Sequence, residues 1–202
     1  MEEINAVNYA MLRGTLSAPP RFSHSSRSEE FYRFSLDVAR LSGATDTLHI
    51  IARRALLERL EPGSAGKLCV LGELRSFNNK SGVGPRLVIS VFARELWFDD
   101  GEDENIIALR GVLCKQPNLR VTPMGREICD LMLAVKRRYG RSDYLPCIAW
   151  GLCARTAACW DVGTAVCLNG RFQSRVYYKT EEGETTEKTA YEVSVIRIEP
   201  EE

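Results

Sequence analysis

The sequence predicts an all-β chain in which one small barrel is built twice, and three observations carry that reading. An internal repeat runs the length of the chain, apolar and polar residues alternate with a period of two, and one short helical segment recurs at the same place in each copy. Leu12-Arg13-Gly14-Thr15-Leu16 returns as Leu109-Arg110-Gly111-Val112-Leu113, an offset of 97 from Gly14 to Gly111. The same offset lays Phe34-Ser35-Leu36-Asp37-Val38-Ala39 on Leu131-Met132-Leu133-Ala134-Val135-Lys136, and pairs Asp46 with Asp143, Ile51 with Ile148 and Gly66 with Gly163. One added residue then brings Gly72-Glu73-Leu74 near Gly170-Arg171-Phe172. A repeat this long exceeds solenoid units, so each copy is expected to be a domain with its own core, the first over residues 1–99 and the second over 105–202.

In the first copy, strands are expected at residues 9–16, 32–38, 47–52, 67–77 and 87–98. In 32–38, Tyr32, Phe34, Leu36 and Val38 alternate with polar or small neighbours, the pattern of a strand with one buried face. The counterparts fall at 106–114, 129–135, 144–150, 165–177 and 189–198. Helix formers fill Arg54-Ala55-Leu56-Leu57-Glu58-Arg59-Leu60 before Pro62-Gly63, and a matching segment runs from Cys153 to Trp160 and stops before Gly163. Asn78-Asn79-Lys80-Ser81-Gly82 and Glu182-Gly183-Glu184 are expected to reverse the chain between strands four and five. The acidic stretch 99–105 reads as a short linker that keeps the copies close. Five strands with one short helix between the third and fourth is the element order of the OB-fold, a five-stranded Greek-key barrel. The prediction is two of them in tandem.

Composition bounds the function. The chain is 45% hydrophobic and 27% charged, as ordinary globular proteins are. No apolar stretch is long enough to span a bilayer and no signal peptide opens the chain, so a cytoplasmic protein without a membrane partner is expected. Seven cysteines, an odd number without a C-x-x-C pair, point to buried small hydrophobes rather than a disulfide or metal framework. No phosphate loop, dinucleotide fingerprint or catalytic constellation stands out, so neither enzymatic activity nor a cofactor is expected.

Net charge is zero, with 27 basic and 27 acidic residues, yet the distribution is uneven. Arg110, Lys115, Arg120, Arg126, Lys136, Arg137, Arg138 and Arg141 face only Glu127 and Asp130 in their stretch of sequence. Aromatic residues stand among these bases. Tyr139 follows Lys136-Arg137-Arg138, Tyr144 and Trp150 mark the two ends of strand three, and Tyr177 and Tyr178 follow Arg171 and Arg175. Alternation sets Tyr144, Pro146, Ile148 and Trp150 on one face. Flat rings on a basic surface suit single-stranded nucleic acid, because every base offers a π-face and stacking requires no particular sequence.

The second copy resembles the DNA-binding domain of bacterial single-stranded DNA-binding proteins. The match runs from Asn105-Ile106-Ile107-Ala108-Leu109-Arg110-Gly111-Val112-Leu113 through Pro117 and 131–135 to Leu168-Asn169-Gly170-Arg171-Phe172-Gln173-Ser174-Arg175. The resemblance implies base stacking after strand two, at both ends of strand three and at the end of strand four, which here are Tyr139, Tyr144, Trp150 and Tyr177. Tyr178, Arg110, Lys136, Arg137, Arg138, Arg171 and Arg175 complete the expected DNA contacts.

In the first copy the equivalent positions are Ser42, Thr47, Arg53 and Asn79, none of them aromatic. Arg53, Arg54, Arg75, Phe77 and Lys80 are its candidates for weaker contacts. The resemblance also implies assemblies of four barrels, hence a homodimer, in replication, repair or recombination. Family members usually carry a long acidic tail, whereas this sequence ends at Ile198-Glu199-Pro200-Glu201-Glu202, so partner recruitment by that route is not expected. The alternatives are a protein-interaction module of a replication or mobile-element complex and a binder of single-stranded RNA.

Overall fold

The structure, a computed structural model, describes residues 7–60, 66–80, 84–137, 140–181 and 184–201. The first copy comprises β1 (Asn8–Leu16), β2 (Arg21–Ser26), β3 (Glu29–Ala39), β4 (Thr45–Arg53), α1 (Arg54–Leu57), β5 (Lys67–Asn78) and β6 (Leu87–Asp99). The second comprises β7 (Glu104–Leu113), β8 (Asn118–Val121), β9 (Glu127–Lys136), β10 (Ser142–Trp150), α2 (Gly151–Ala158), β11 (Ala165–Glu181) and β12 (Glu184–Pro200). The tandem OB-fold expected from the sequence is present, with the helix of each copy between its third and fourth barrel strands.

Several local expectations need correction. The short strands β2 and β8 pair with the edges of β3 and β9. They escape the alternation test because their side chains are almost all exposed, so no buried face patterns them. The acidic linker shrinks to residues 100–103, because Glu104 and Asn105 already pair with Arg13 and Leu12 in the sheet. The helix α1 is shorter than expected, while the second hairpin keeps pairing well beyond residue 177, from Val176↔Thr189 out to Glu181↔Glu184. Of its expected turn, Glu182 and Gly183 lie outside the described residues, as do Ser81 and Gly82 of the first.

Each barrel closes because its first strand serves two neighbours. β1 pairs with β5 up to Gly14 and with β3 from Thr15 onward, and β7 does the same with β11 and β9. At the crossover the chains approach too closely for a side chain. A Cβ on Gly14 would strike the Asp37 carbonyl, and one on Gly111 the Ala134 carbonyl. That close approach explains the glycine in both Leu-Arg-Gly motifs. Gly72 and Gly170 follow matching β-bulges and are equally crowded by the carbonyls of Phe92 and Ser194. The interior is filled by alternate residues of both copies, with Leu12, Leu36, Ile50, Leu74, Leu133, Leu145 and Phe172 among the fully buried side chains.

An approximate two-fold axis relates the barrels. β1 and β7 run antiparallel with Ala10 opposite Ile107, and these two are equivalent positions in the repeat. The sheet is therefore continuous from one barrel to the other. Beyond the Ala10 and Ile107 pairing, a side chain replaces the backbone. Asn8 Nδ2 donates to the Leu74 carbonyl at 2.8 Å while its Oδ1 accepts the Leu74 N–H at 2.8 Å. Asn105 does the same with Phe172, at 2.6 and 2.9 Å.

A buried ionic clasp repeats on both sides of the seam. Asp143 of the second barrel accepts the N–H of Ser76 in the first at 2.6 Å, and Arg137 Nη2 donates to the Ser76 carbonyl at 2.9 Å while also binding Asp143. In the mirror arrangement, Asp46 accepts the Ser174 N–H at 2.7 Å, and Arg40 donates to Asp46 and to the Ser174 carbonyl. Both carboxylates are buried and are satisfied by charged and neutral donors together, the condition under which a buried ion pair is tolerated.

Candidate nucleic-acid interface

Strand β10 carries the center of the site. Leu145, Cys147 and Ala149 point into the core, which leaves Tyr144, Pro146, Ile148 and Trp150 on the outer face. Tyr144 is half exposed, at 50%, and its backbone N–H donates to Ser76 Oγ at 2.8 Å, so the ring stands beside the seam between the barrels. Trp150 lies at the other end of the strand, roughly 20 Å away at 3.3 Å per residue. It is half-buried, with Nε1 donating to Ser194 Oγ at 3.2 Å. Lys136 pairs with Ser142 two positions from Tyr144, which puts its exposed ammonium on the Tyr144 face.

The second group of rings stands on the long hairpin. Tyr177 is 37% exposed with the Arg175 guanidinium 5.7 Å from its ring center, and Tyr178 is 69% exposed on the opposite face of β11. The Tyr178 hydroxyl donates to Glu187 at 3.1 Å, and that hydrogen bond, ahead of the carboxylate's charge, holds its pKa above the usual tyrosine value. Tyr139 and Arg138 lie outside the described residues.

The basic side chains divide into two groups. Lys136 and Arg171 are exposed and form no ion pair with a described residue. The other three described bases are engaged elsewhere. Arg137 closes the clasp on Asp143, so its guanidinium is engaged with a buried carboxylate in the free protein. Arg175 pairs with the buried Glu192 at 3.1 Å. Arg110 pairs with Glu201 at 3.3 Å beside Cys167, about 33 Å along β11 from Tyr177.

In the first barrel, Thr47 and Arg53 occupy the places of Tyr144 and Trp150. Arg53 pairs with Glu29 at 2.9 Å, Arg54 with Glu30 and Glu58, and Arg75 reaches across the seam to Asp143 at 3.1 Å. Arg75 is thus a seam residue rather than an open contact. Phe77, at 55% exposure, and Lys80 remain open on the surface.

The clasp residues Arg40, Asp46, Ser76, Asp143 and Ser174 were not assigned a role from the sequence. Their signal was the Arg-x5-Asp spacing kept in both copies. His49 packs its ring 4.7 Å from Tyr191 of the other barrel; burial first, and the charge of Arg33 second, pull its pKa below 6.5. All seven cysteines are free, and complete burial pushes the Cys147 thiol far above its usual pKa, leaving it unreactive.

Two small β-barrels joined edge to edge, one of them presenting outward rings with cations alongside, define a protein of the nucleic-acid-binding OB class. A family model described as the single-strand binding protein family matches residues 104–200. Single-stranded DNA-binding protein B of Bacillus subtilis is 35% identical over 86 residues, covering 39% of this chain and 75% of that relative. Single-stranded DNA-binding protein 2 of Listeria innocua is 34% identical over 80 residues, covering 36% of this chain and 50% of that relative. The chain spans about half the length of most of the curated relatives it matches. Among solved structures, the wild-type single-stranded DNA binding protein from Thermus aquaticus matches with a TM-score of 0.75 at 22% identity, covering 96% of this chain and 93% of that one. That likeness extends the shared fold over both barrels. The chain belongs to the single-strand binding protein family.

Proposed function

We propose that this protein binds single-stranded DNA with little sequence preference, as a binding protein rather than an enzyme, and serves replication, repair or recombination. The observation that carries the reading is the outer face of β10, where Tyr144 and Trp150 are held on a rigid strand by Ser76 and Ser194, with Lys136 on the same side. Stacking contributes about 1–3 kcal/mol per base. Two or three engaged rings therefore give useful affinity even on a chain with no net charge. Under this reading the functional units are residues 1–99 and 105–202, and the second holds the principal site: Tyr144, Trp150, Tyr177, Tyr178, Lys136 and Arg171, with Tyr139 and Arg138 next to it in sequence.

The protein acts as a homodimer with four barrels. Leu71, Met11 and Ile106 stand side by side across β5, β1 and β7 on the face turned away from the core. Ile106 is 38% exposed there, beside fully buried Ile107. This partly exposed apolar strip lies one residue from the two-fold axis of the chain, which passes between Ala10 and Ile107, so a second copy centered on that axis would cover it. Light scattering is expected to give twice the chain mass of 22.7 kDa; a monomer at every concentration would remove the dimer. Titration of labelled oligothymidine is expected to show saturable binding that competing RNA of the same length displaces poorly. No saturable binding at low salt would end the reading.

A further inference from the structure

The first barrel lacks the second barrel's rings, yet it carries a different aromatic cluster at an equivalent place. Arg53 stands where Trp150 stands, and the neighboring strand shows the reciprocal exchange. Ile51 pairs with Phe92 in the first barrel as Ile148 pairs with Ser194 in the second, so Phe92 occupies the position of Ser194. Trp150 beside Ser194 has become Arg53 beside Phe92.

The ring has moved one strand over, and its surroundings have changed with it. The Arg53 guanidinium lies 5.3 Å from the Phe92 ring center and that of Arg94 lies 5.7 Å away. Phe31, which takes the place of Ile128, lies 6.0 Å from Phe92 and is itself stacked on His24 at 4.8 Å with the planes 10° apart. Ile89, Val91 and Ala93 point into the core, so Phe92 is on the outside of the barrel, half-buried.

We propose that the first barrel has its own nucleobase-stacking site, in which Phe92 and the guanidinium planes of Arg53 and Arg94 replace the ring that Trp150 supplies in the second barrel. The inference rests on the single-stranded DNA reading and adds to it a residue set and a location. Its chemistry follows from the parts. A base stacks on an aromatic face or on a planar guanidinium, and the two arginines bring positive charge for the adjoining phosphates. Arg53 and Arg94 are held in the free protein by Glu29 at 2.9 Å and Glu73 at 2.7 Å. Both pairs are solvent-accessible, and such pairs are weak enough for a phosphate to displace the carboxylate.

The test uses the full chain. Oligothymidine bearing 5-iodouracil, long enough to reach both barrels, is bound at saturation, irradiated, and the attachment points are read by peptide mass spectrometry. Attachment is expected at Phe92 as well as at Tyr144 or Trp150. In the Phe92→Leu, Arg94→Ala variant, the first-barrel attachment is expected to vanish and affinity for the long strand to fall several-fold. A short oligonucleotide that fills the second barrel alone is expected to bind that variant as before. Attachment confined to the second barrel would overturn the inference while leaving the single-stranded DNA reading intact. Absence of both attachment and saturable binding would fell that reading itself. Because attachment is read on the unsubstituted protein, the inference stays testable even if the variant does not fold.

Discussion

Arg40 with Asp46 in the first barrel and Arg137 with Asp143 in the second are the same pair in the same place, each clasping a serine of the other barrel. Thr47 and Arg53, by contrast, stand where the second barrel has Tyr144 and Trp150. The difference shows which constraints outlast duplication. A buried carboxylate cannot lose its partners without a large cost, and a glycine pressed against a carbonyl cannot gain a side chain. Outward positions on β4 and β10 are free of both constraints, so the two copies have diverged there while their cores and seam stayed alike.

The largest expected effect tests the shared part. Asp143→Ala strands the Arg137 guanidinium and the Ser76 N–H and also releases Arg75, and Asp46→Ala strands Arg40 and the Ser174 N–H. Each is expected to cost about 3–5 kcal/mol in urea unfolding. Similar costs at the two sites would establish that the halves of the seam are equivalent; a negligible cost at one would break the symmetry drawn here.

The unshared part comes next in size. Tyr144→Ala and Trp150→Ala are each expected to weaken oligothymidine binding by about 1–3 kcal/mol in fluorescence anisotropy, whereas Thr47→Ala in the first barrel leaves affinity unchanged. Lys136→Ala and Arg171→Ala act through charge. Each is expected to flatten the logarithmic salt dependence of binding by about 0.7, and an unaltered slope would take that residue out of the site.

How much of this could be read from the sequence depends on burial. Strands such as β3 and β9 were legible because one face is core and the other solvent, which writes a period of two into Phe34, Leu36 and Val38. The edge strands β2 and β8 bury nothing regular and left no such mark. The rings at Tyr144, Trp150 and Tyr177 were legible as aromatics among bases. The commitment of Arg137 and Arg75 to Asp143 was harder to read: Arg137 sits in a basic run, where only the repeated Arg-x5-Asp spacing marks its partner, and Arg75 lies 68 residues from the carboxylate. Phe92 was hidden for a related reason: the second hairpin is longer than the first, so the offset of 97 no longer holds beyond it, and only strand pairing shows that Phe92 replaces Ser194.

The smallest effect concerns a contact that one barrel makes and the other lacks. His49, buried against Tyr191, has a pKa below its ordinary 6.5. The unfolded chain therefore takes up the proton at higher pH than the folded one, so the stability contributed by neutral His49 is complete above about pH 6.5 and is lost as pH falls below it. Urea midpoints at pH 7.5 and 5.5 are expected to differ less in His49→Gln than in the parent protein. An identical difference in both would remove His49 from the pH response.

The central claim is that unpaired bases stack on Trp150. It is met most directly by titrating the full chain with oligothymidine while recording tryptophan fluorescence, and repeating the titration with Trp150→Phe. The parent protein is expected to show saturable quenching. The variant, which keeps a flat ring there but leaves only Trp97 and Trp160 to emit, is expected to lose most of that quenching while anisotropy shows binding largely retained. Equal quenching in the two proteins would contradict the account.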